Sequence, residues 1–178
     1  MNFTLPISLF DLILVLLVFG FIFFGFWTGL IHALGGLIGV IAGAAIASRV
    51  FIPLSNQYAS FFGGNENLAK VVTFMVVFVV VNRLVGLIFW ILEKVFKGLS
   101  VLPFIKTLNR LGGAILGLIE GILVVGACLY VASRYPINDQ FTQALQSSNF
   151  AKQITQYSTI LTPLLPLILK QLRSVIGI

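Results

Sequence analysis

Two side chains in this sequence carry charge inside long apolar runs. Glu120 interrupts NRLGGAILGLIEGILVVG, which is apolar from Leu111 onward, and Arg83 follows Asn82 in FMVVFVVVNRLVGLIFW. An unpaired carboxylate or guanidinium in hydrocarbon costs several kcal/mol, so residues of these types either pair or line a path for ions, protons or a gated polar substrate. Each lies near the middle of its run, and the runs are consecutive, so on antiparallel helices their depths match. The spacing therefore predicts that Arg83 and Glu120 are paired, directly or through one polar partner, with Asn82 adding amide hydrogen bonds. Such a pair can serve only to fix the register of a bundle. A pathway usually shows several polar residues in line, and here they are few.

Other chemistry is sparse. The sequence has no HExxH motif and no Cys/His array, and its one histidine, His32, falls in a tight turn without a companion ligand. No nucleophile elbow is present, and the glycines are not followed by the Lys-Ser/Thr of a phosphate loop. The single cysteine, Cys128, cannot form an internal disulfide and reads as a small packing residue. The expectation is a protein with no catalytic residues, no cofactor and no metal.

The elements that must position Arg83 and Glu120 follow from composition. Of the 178 residues 59% are hydrophobic and only 9% charged, far from the roughly 25% charged residues of soluble domains. The mean hydropathy is +1.10. This is the composition of a membrane protein. The net charge of +6 is spread singly between apolar segments and forms no stripe, which argues against nucleic acid and for contact with lipid head groups.

Crossing about 30 Å of hydrocarbon takes about 20 apolar residues in a helix. Segments 10–27, 30–52, 71–92 and 111–132 meet that requirement. The first lacks basic flanks and a cleavage site, so it is expected to remain as an anchor rather than a signal peptide. The reading is an all-α polytopic membrane protein: a four-transmembrane-helix bundle of two hairpins over residues 1–134, with an amphipathic interfacial tail over 135–178. The short connection at 28–32 predicts a tight antiparallel hairpin of the first two helices. Gly63 and Gly64 mark the second turn, and the basic third connection, with Pro103, reads as an interfacial segment. In the tail, Leu161, Leu164, Leu165, Ile168, Leu172, Val175 and Ile176 share one helical face opposite Lys170 and Arg173, as in a helix lying on a membrane or on the bundle.

Trp27 and Trp90 end the first and third helices at one interface. The third connection gathers Lys94, Lys97, Lys106 and Arg110 against Arg49, Lys70 and Arg134 on the other side. The positive-inside rule therefore favours both termini outside.

Two helices also resemble each other. LGGLIGVIAGAAIASR and LGGAILGLIEGILVVGACLYVASR both open with Leu-Gly-Gly and end in Ala-Ser-Arg. Their glycines recur every fourth residue, at Gly35, Gly39 and Gly43 and at Gly113, Gly117 and Gly121. The pattern suggests hairpins related by a twofold axis along the membrane normal. On a wheel of about 100° per residue Glu120 falls on the face of Gly117 and Gly121, where a partner helix approaches closest. Asp11, Arg49 and Arg134 stand at a common level and are candidates for a second cluster at the membrane face.

Asp11 at the start of the first helix, the Gly25–Gly29 spacing into the second, and Asn109-Arg110-Leu111-Gly112 leading to Gly117 and Gly121 resemble the CvpA family of bacterial inner-membrane proteins, named for colicin V production. The resemblance covers roughly residues 9–134, and Asn109-Arg110 is its most specific element. The family's Arg-Gly pair in the first turn is Thr28-Gly29 here. The resemblance implies a multi-pass protein of the bacterial inner membrane, associated with toxin production or export and with the envelope. On that basis a structural or scaffolding role is the first reading. A small channel or transporter subunit using Arg83 and Glu120 is the second. The expected partners are membrane lipids and either a homo-oligomer or another membrane protein. Asn109 and Arg110 are candidates for partner or head-group contact.

Overall fold

The structure, a computed structural model, describes residues 8–96 and 103–158. Its regular elements are α1 (Leu9–Thr28), α2 (Leu30–Tyr58), a single 3-10 turn (Ala59–Phe62), α3 (Glu66–Phe96), α4 (Pro103–Arg134), α5 (Asp139–Ser147) and α6 (Asn149–Ser158). The first four are long and apolar enough to cross a membrane, in the windows Leu9–Thr28, Leu30–Phe62, Glu66–Leu92 and Thr107–Arg134. The protein is all-α and multi-pass, as its composition requires.

The helices outrun the predicted spans. α2 continues through Pro53 to Tyr58, and α4 begins at Pro103 rather than Leu111. Hydropathy reports where a helix leaves hydrocarbon, not where its hydrogen bonding stops, so polar ends such as Lys106 to Arg110 stay helical in the interface. Pro103 stands at the first helical position, where its missing N–H has no partner to lose. The turns follow their local chemistry. Ser8 caps α1 by accepting from the Asp11 N–H at 3.0 Å. Gly29, at φ 92°, alone separates α1 from α2, and Gly63 and Gly64, at 62° and 81°, make the turn before α3.

The tight first turn does not produce a tightly packed hairpin. α1 lies along α4, α2 lies along α3, and α2 crosses α4 at the centre, whereas α1 with α2 and α3 with α4 touch little. The glycine stripes account for this. Gly35, Gly39 and Gly43 receive Phe89, Asn82 and Phe78 of α3, while Gly113, Gly117 and Gly121 receive Gly25 and Phe21 of α1. A Cβ on Gly113 would meet the Gly29 carbonyl carbon at 2.7 Å, and one on Gly25 would meet the Gly117 Cα at 3.1 Å, so the backbones themselves are in contact. A twofold that exchanges α1–α2 with α3–α4 would give this pairing of α1 with α4 and α2 with α3.

One end of the bundle is filled by aromatic rings. Phe51, Phe74 and Phe78 are fully buried. Phe51 meets Phe74 and Tyr135 edge-on, each with centroids 5.9 Å apart, and Phe74 stacks on Phe78 at 5.7 Å. The first part of the tail closes over this end. Leu145, Ala151 and Ile154 bury against Leu14, Val18, Val125 and Leu129 of α1 and α4. Asn65 and Asn67 donate to the carbonyls of Ile137 at 3.2 Å and Pro136 at 3.0 Å. The amphipathic stretch read at 161–176 lies outside the described residues.

The close approach of α1 and α4 makes a checkable claim. Gly117→Leu places a branched side chain between two backbones and is expected to destabilise by about 1–3 kcal/mol or more, as overpacking does. Gly20→Leu is the control, because nothing lies within 4 Å of an added Cβ there. Thermal unfolding in detergent should show a clear fall in Tm for the first variant and none for the second; equal behaviour would remove this account of the packing.

Candidate functional site

Glu120 leaves α4 beside its glycine stripe rather than along it. The stripe faces α1, whereas the Glu120 carboxyl lies on α2 at Gly36, where a Cβ would stand 2.5 Å from its Cδ and 2.7 Å from its Oε1. Only glycine at 36 lets a carboxylate settle this close to a helix backbone. α3 supplies the next group: Asn82 is as buried as Glu120, each 7% exposed, and lines the same cavity. Gly39 admits Asn82 in the same way, since a Cβ there would stand 2.9 Å from the Asn82 carbonyl oxygen and Oδ1.

Arg83 is exposed, and its guanidinium carbon lies 5.2 Å from the centroid of the Phe24 ring on α1. The same ring meets His32 edge-on, centroids 5.4 Å apart. Glu120, Asn82, Arg83, His32, Phe24 and Trp90 line one cavity of about 190 Å³, completed by Gly36, Gly86 and Leu87. Every transmembrane helix contributes to it. Seven residues, or about 10 Å of helix, separate Arg83 from Trp90, whose ring carries Lys94 with Nζ 3.9 Å from its centroid. The cavity thus extends from the tryptophan level to mid-helix, and one turn of α3 beyond Asn82 stands the buried ring of Phe78.

Of the two arrangements expected for Arg83 and Glu120, a direct pair or a link through one polar partner, the direct pair is not formed. Among the described residues the ion pair within 4.0 Å is Lys70–Glu66, at 3.2 Å. Arg83 and Glu120 face one cavity with Asn82 beside them, and the two charges stay beyond 4.0 Å. Matching depth was enough to bring the two charges into one cavity. It was not enough for contact, because α3 and α4 hardly touch and α2 lies between them.

The membrane-face residues have structural partners. Asn109 Oδ1 accepts from the Leu30 N–H at 3.0 Å, and the Asn109 side chain fills the space that a Cβ on Gly29 would need. This ties the start of α4 to the α1–α2 turn, so Asn109 is committed to a clasp. Arg110 is exposed above the Phe26 ring at 5.8 Å. Asp11 was grouped with Arg49 and Arg134 and is instead held by Ser8 and by the Ser148 hydroxyl that also caps α6. Arg134 lies over Tyr130, 5.3 Å from its centroid. Among the described residues Asp11, Arg49 and Arg134 make no ion pair within 4.0 Å of one another.

Comparison with known proteins agrees with this architecture. The family model described as colicin V production protein matches residues 10–159. The chain belongs to the colicin V production protein family. A relative in Bacillus subtilis (strain 168), the "Uncharacterized transmembrane protein YshB", is 34% identical over 108 residues, which are 60% of this chain and 58% of that protein. The match thus spans less than two thirds of that relative's length. No solved structure matches. In this family member the sequence reading found Glu120, Asn82 and Arg83 by their cost in lipid, and missed His32, Phe24, Gly36 and Trp90. A histidine or glycine next to a turn carries no such signal until the helices are placed.

The clasp is open to test. Asn109→Ala leaves the Leu30 N–H unpaired and is expected to cost about 1–2 kcal/mol, the range of a lost helix cap. Asn109→Asp keeps the acceptor and should recover most of it. Unfolding midpoints in detergent that rank alanine equal to wild type would rule the clasp out.

Proposed function

We infer that this colicin V production family protein is a transport component, a small channel or transporter subunit, that admits a polar species into the bilayer through the cavity ending at Glu120. The observation that carries this reading is the cavity itself: it reaches a buried carboxylate at mid-helix and has an unlike charge, Arg83, at its edge. A helix bundle that needed only a register pin would pack the two charges together and leave no space beside them. Ionisable groups that line a cavity inside the membrane are the usual mark of ion, proton or substrate handling. The opposite end is filled by Phe51, Phe74 and Phe78, so passage beyond Glu120 requires those rings or their helices to move.

By the positive-inside rule the cavity side, which carries Lys94 and Arg110, is the cytoplasmic side of the bacterial inner membrane. The family's description connects its members with colicin V production, and in this reading the chain serves that process as a conduit. Lipids and a second copy or another membrane protein complete the assembly.

Glu120→Gln separates the conduit from a scaffold. In proteoliposomes carrying a pH dye and a potential dye, a conduit is expected to lose proton or cation flux by about tenfold or more, corresponding to ~1.4 kcal/mol or more, with an unchanged size-exclusion profile. A wild type without flux, together with a variant that loses assembly, would return the protein to the scaffolding role.

A further inference from the structure

The charge arrangement in the cavity specifies the kind of ligand it would take. Arg83 sits on the outer face of α3 in a stripe with Val79, Val80, Leu84, Leu87 and Ile88, all exposed. A guanidinium in such a stripe faces lipid, where charge is unfavourable without a partner. Phe24 supplies only a ring face, and the Glu120 carboxylate lies in the cavity beyond ion-pair contact. The long arginine stem can rise toward the head-group level marked by Trp90. Arg83 is therefore placed to receive an anionic group that enters from the lipid side.

The back of the cavity asks for the opposite charge. The Glu120 carboxylate there, with the Asn82 amide beside it in the cavity wall, repels an anion and accepts N–H donors. Two unlike charges held apart in one space fit a ligand that carries both, with the anionic group outermost. The type of cation is also restricted. Aromatic faces that would favour a quaternary ammonium are already covered, that of Phe24 by Arg83 and that of Trp90 by Lys94. What remains for the cation are hydrogen-bond acceptors, which favour a primary ammonium. At about 190 Å³ the space is below the roughly 300–1,000 Å³ of pockets that enclose drug-sized ligands, so it holds a head group and leaves any acyl chain outside. α1 and α3, which flank it, do not pack on each other along their lengths.

From this we propose that the cavity binds a primary-ammonium phosphate zwitterion, the phosphoethanolamine group, with the phosphate on Arg83 and the ammonium on Glu120 and Asn82. The group arrives either as the head of an aminophospholipid, sideways between α1 and α3, or as a free solute. The assignment rests on the reading of the cavity as a ligand site but not on flux. Binding without flux would remove the transport function and leave this site standing; flux without ethanolamine-dependent binding would do the reverse.

The test uses Trp90 as a reporter in the full chain carrying Trp27→Phe, reconstituted in nanodiscs of phosphatidylcholine. One arm titrates phosphatidylethanolamine into the bilayer and a second adds free O-phosphoethanolamine. A third substitutes phosphatidylglycerol, which has the phosphate without the ammonium. A saturable change in Trp90 emission with either ethanolamine compound and not with phosphatidylglycerol supports the site, and the arm that responds names the source. Glu120→Gln is expected to weaken the response about tenfold or more while Arg83→Gln, at an exposed position, abolishes it. No response in either ethanolamine arm, an equal response to phosphatidylglycerol, or a response that survives Arg83→Gln would overturn the assignment. Helical content by circular dichroism and a monodisperse elution profile verify that each variant is folded.

Discussion

The contact on which the rest of the molecule depends is backbone against backbone, where Gly113 and Gly117 of α4 meet Gly25 of α1. In lipid there is no hydrophobic force to drive helices together, so the depth of van der Waals contact decides which surfaces associate. A Cβ on Gly113 would overlap the neighbouring chain, so any side chain there would push the helices apart. The second stripe, on α2, does the same for α3 through the rings of Phe78 and Phe89 and through Asn82. With α1 committed to α4 and α3 to α2, the covalently joined neighbours are left loosely packed. The cavity occupies the space that results.

The asymmetry between the two ends of the bundle follows from the side chains that fill them. Toward Tyr135 the inward positions of α2 and α3 carry Phe51, Phe74 and Phe78, large enough to leave no space. Toward Trp90 they carry Gly36, Gly39 and Gly86, and the gap is only partly filled by Glu120, Asn82 and His32. Gly36 has a double role. It brings the helices close and removes the one methyl group that would displace the Glu120 carboxyl, so packing and charge placement are set by the same residue.

Much of this is written in the sequence in forms that physics makes readable. The spans follow from bilayer thickness, the glycine stripes from their period, and the three polar residues from the cost of burying charge. What could not be read was azimuth. A wheel shows that Glu120 is near Gly117 and Gly121 but cannot say which neighbour each edge of that face meets, and here the stripe meets α1 while the acid meets α2. The same ambiguity made a tight turn look like a tight hairpin, although Gly29 with φ at 92° only reverses the chain and leaves the helices free to diverge. Asn109 was conspicuous for its position before the glycines, yet its partner, the Leu30 amide, is distant in sequence and carries no signal of its own. His32 and Trp90 became part of a site only when four helices enclosed them.

The segment after α4 gives the bundle a mechanical property. Its first turns are tied to the α2–α3 connection through Asn65 and Asn67, and Ser148 ties it to the first turn of α1 at Asp11. All of these attachments are at the aromatic end. The opposite end is bound as well, α1 to α4 at Gly25 and Gly113, α2 to α3 at Gly35 and Phe89, and α4 to the α1–α2 turn through Asn109. With bindings at both ends each helix pair is held as a unit, and the gap between α1 and α3 is the seam where the two units meet.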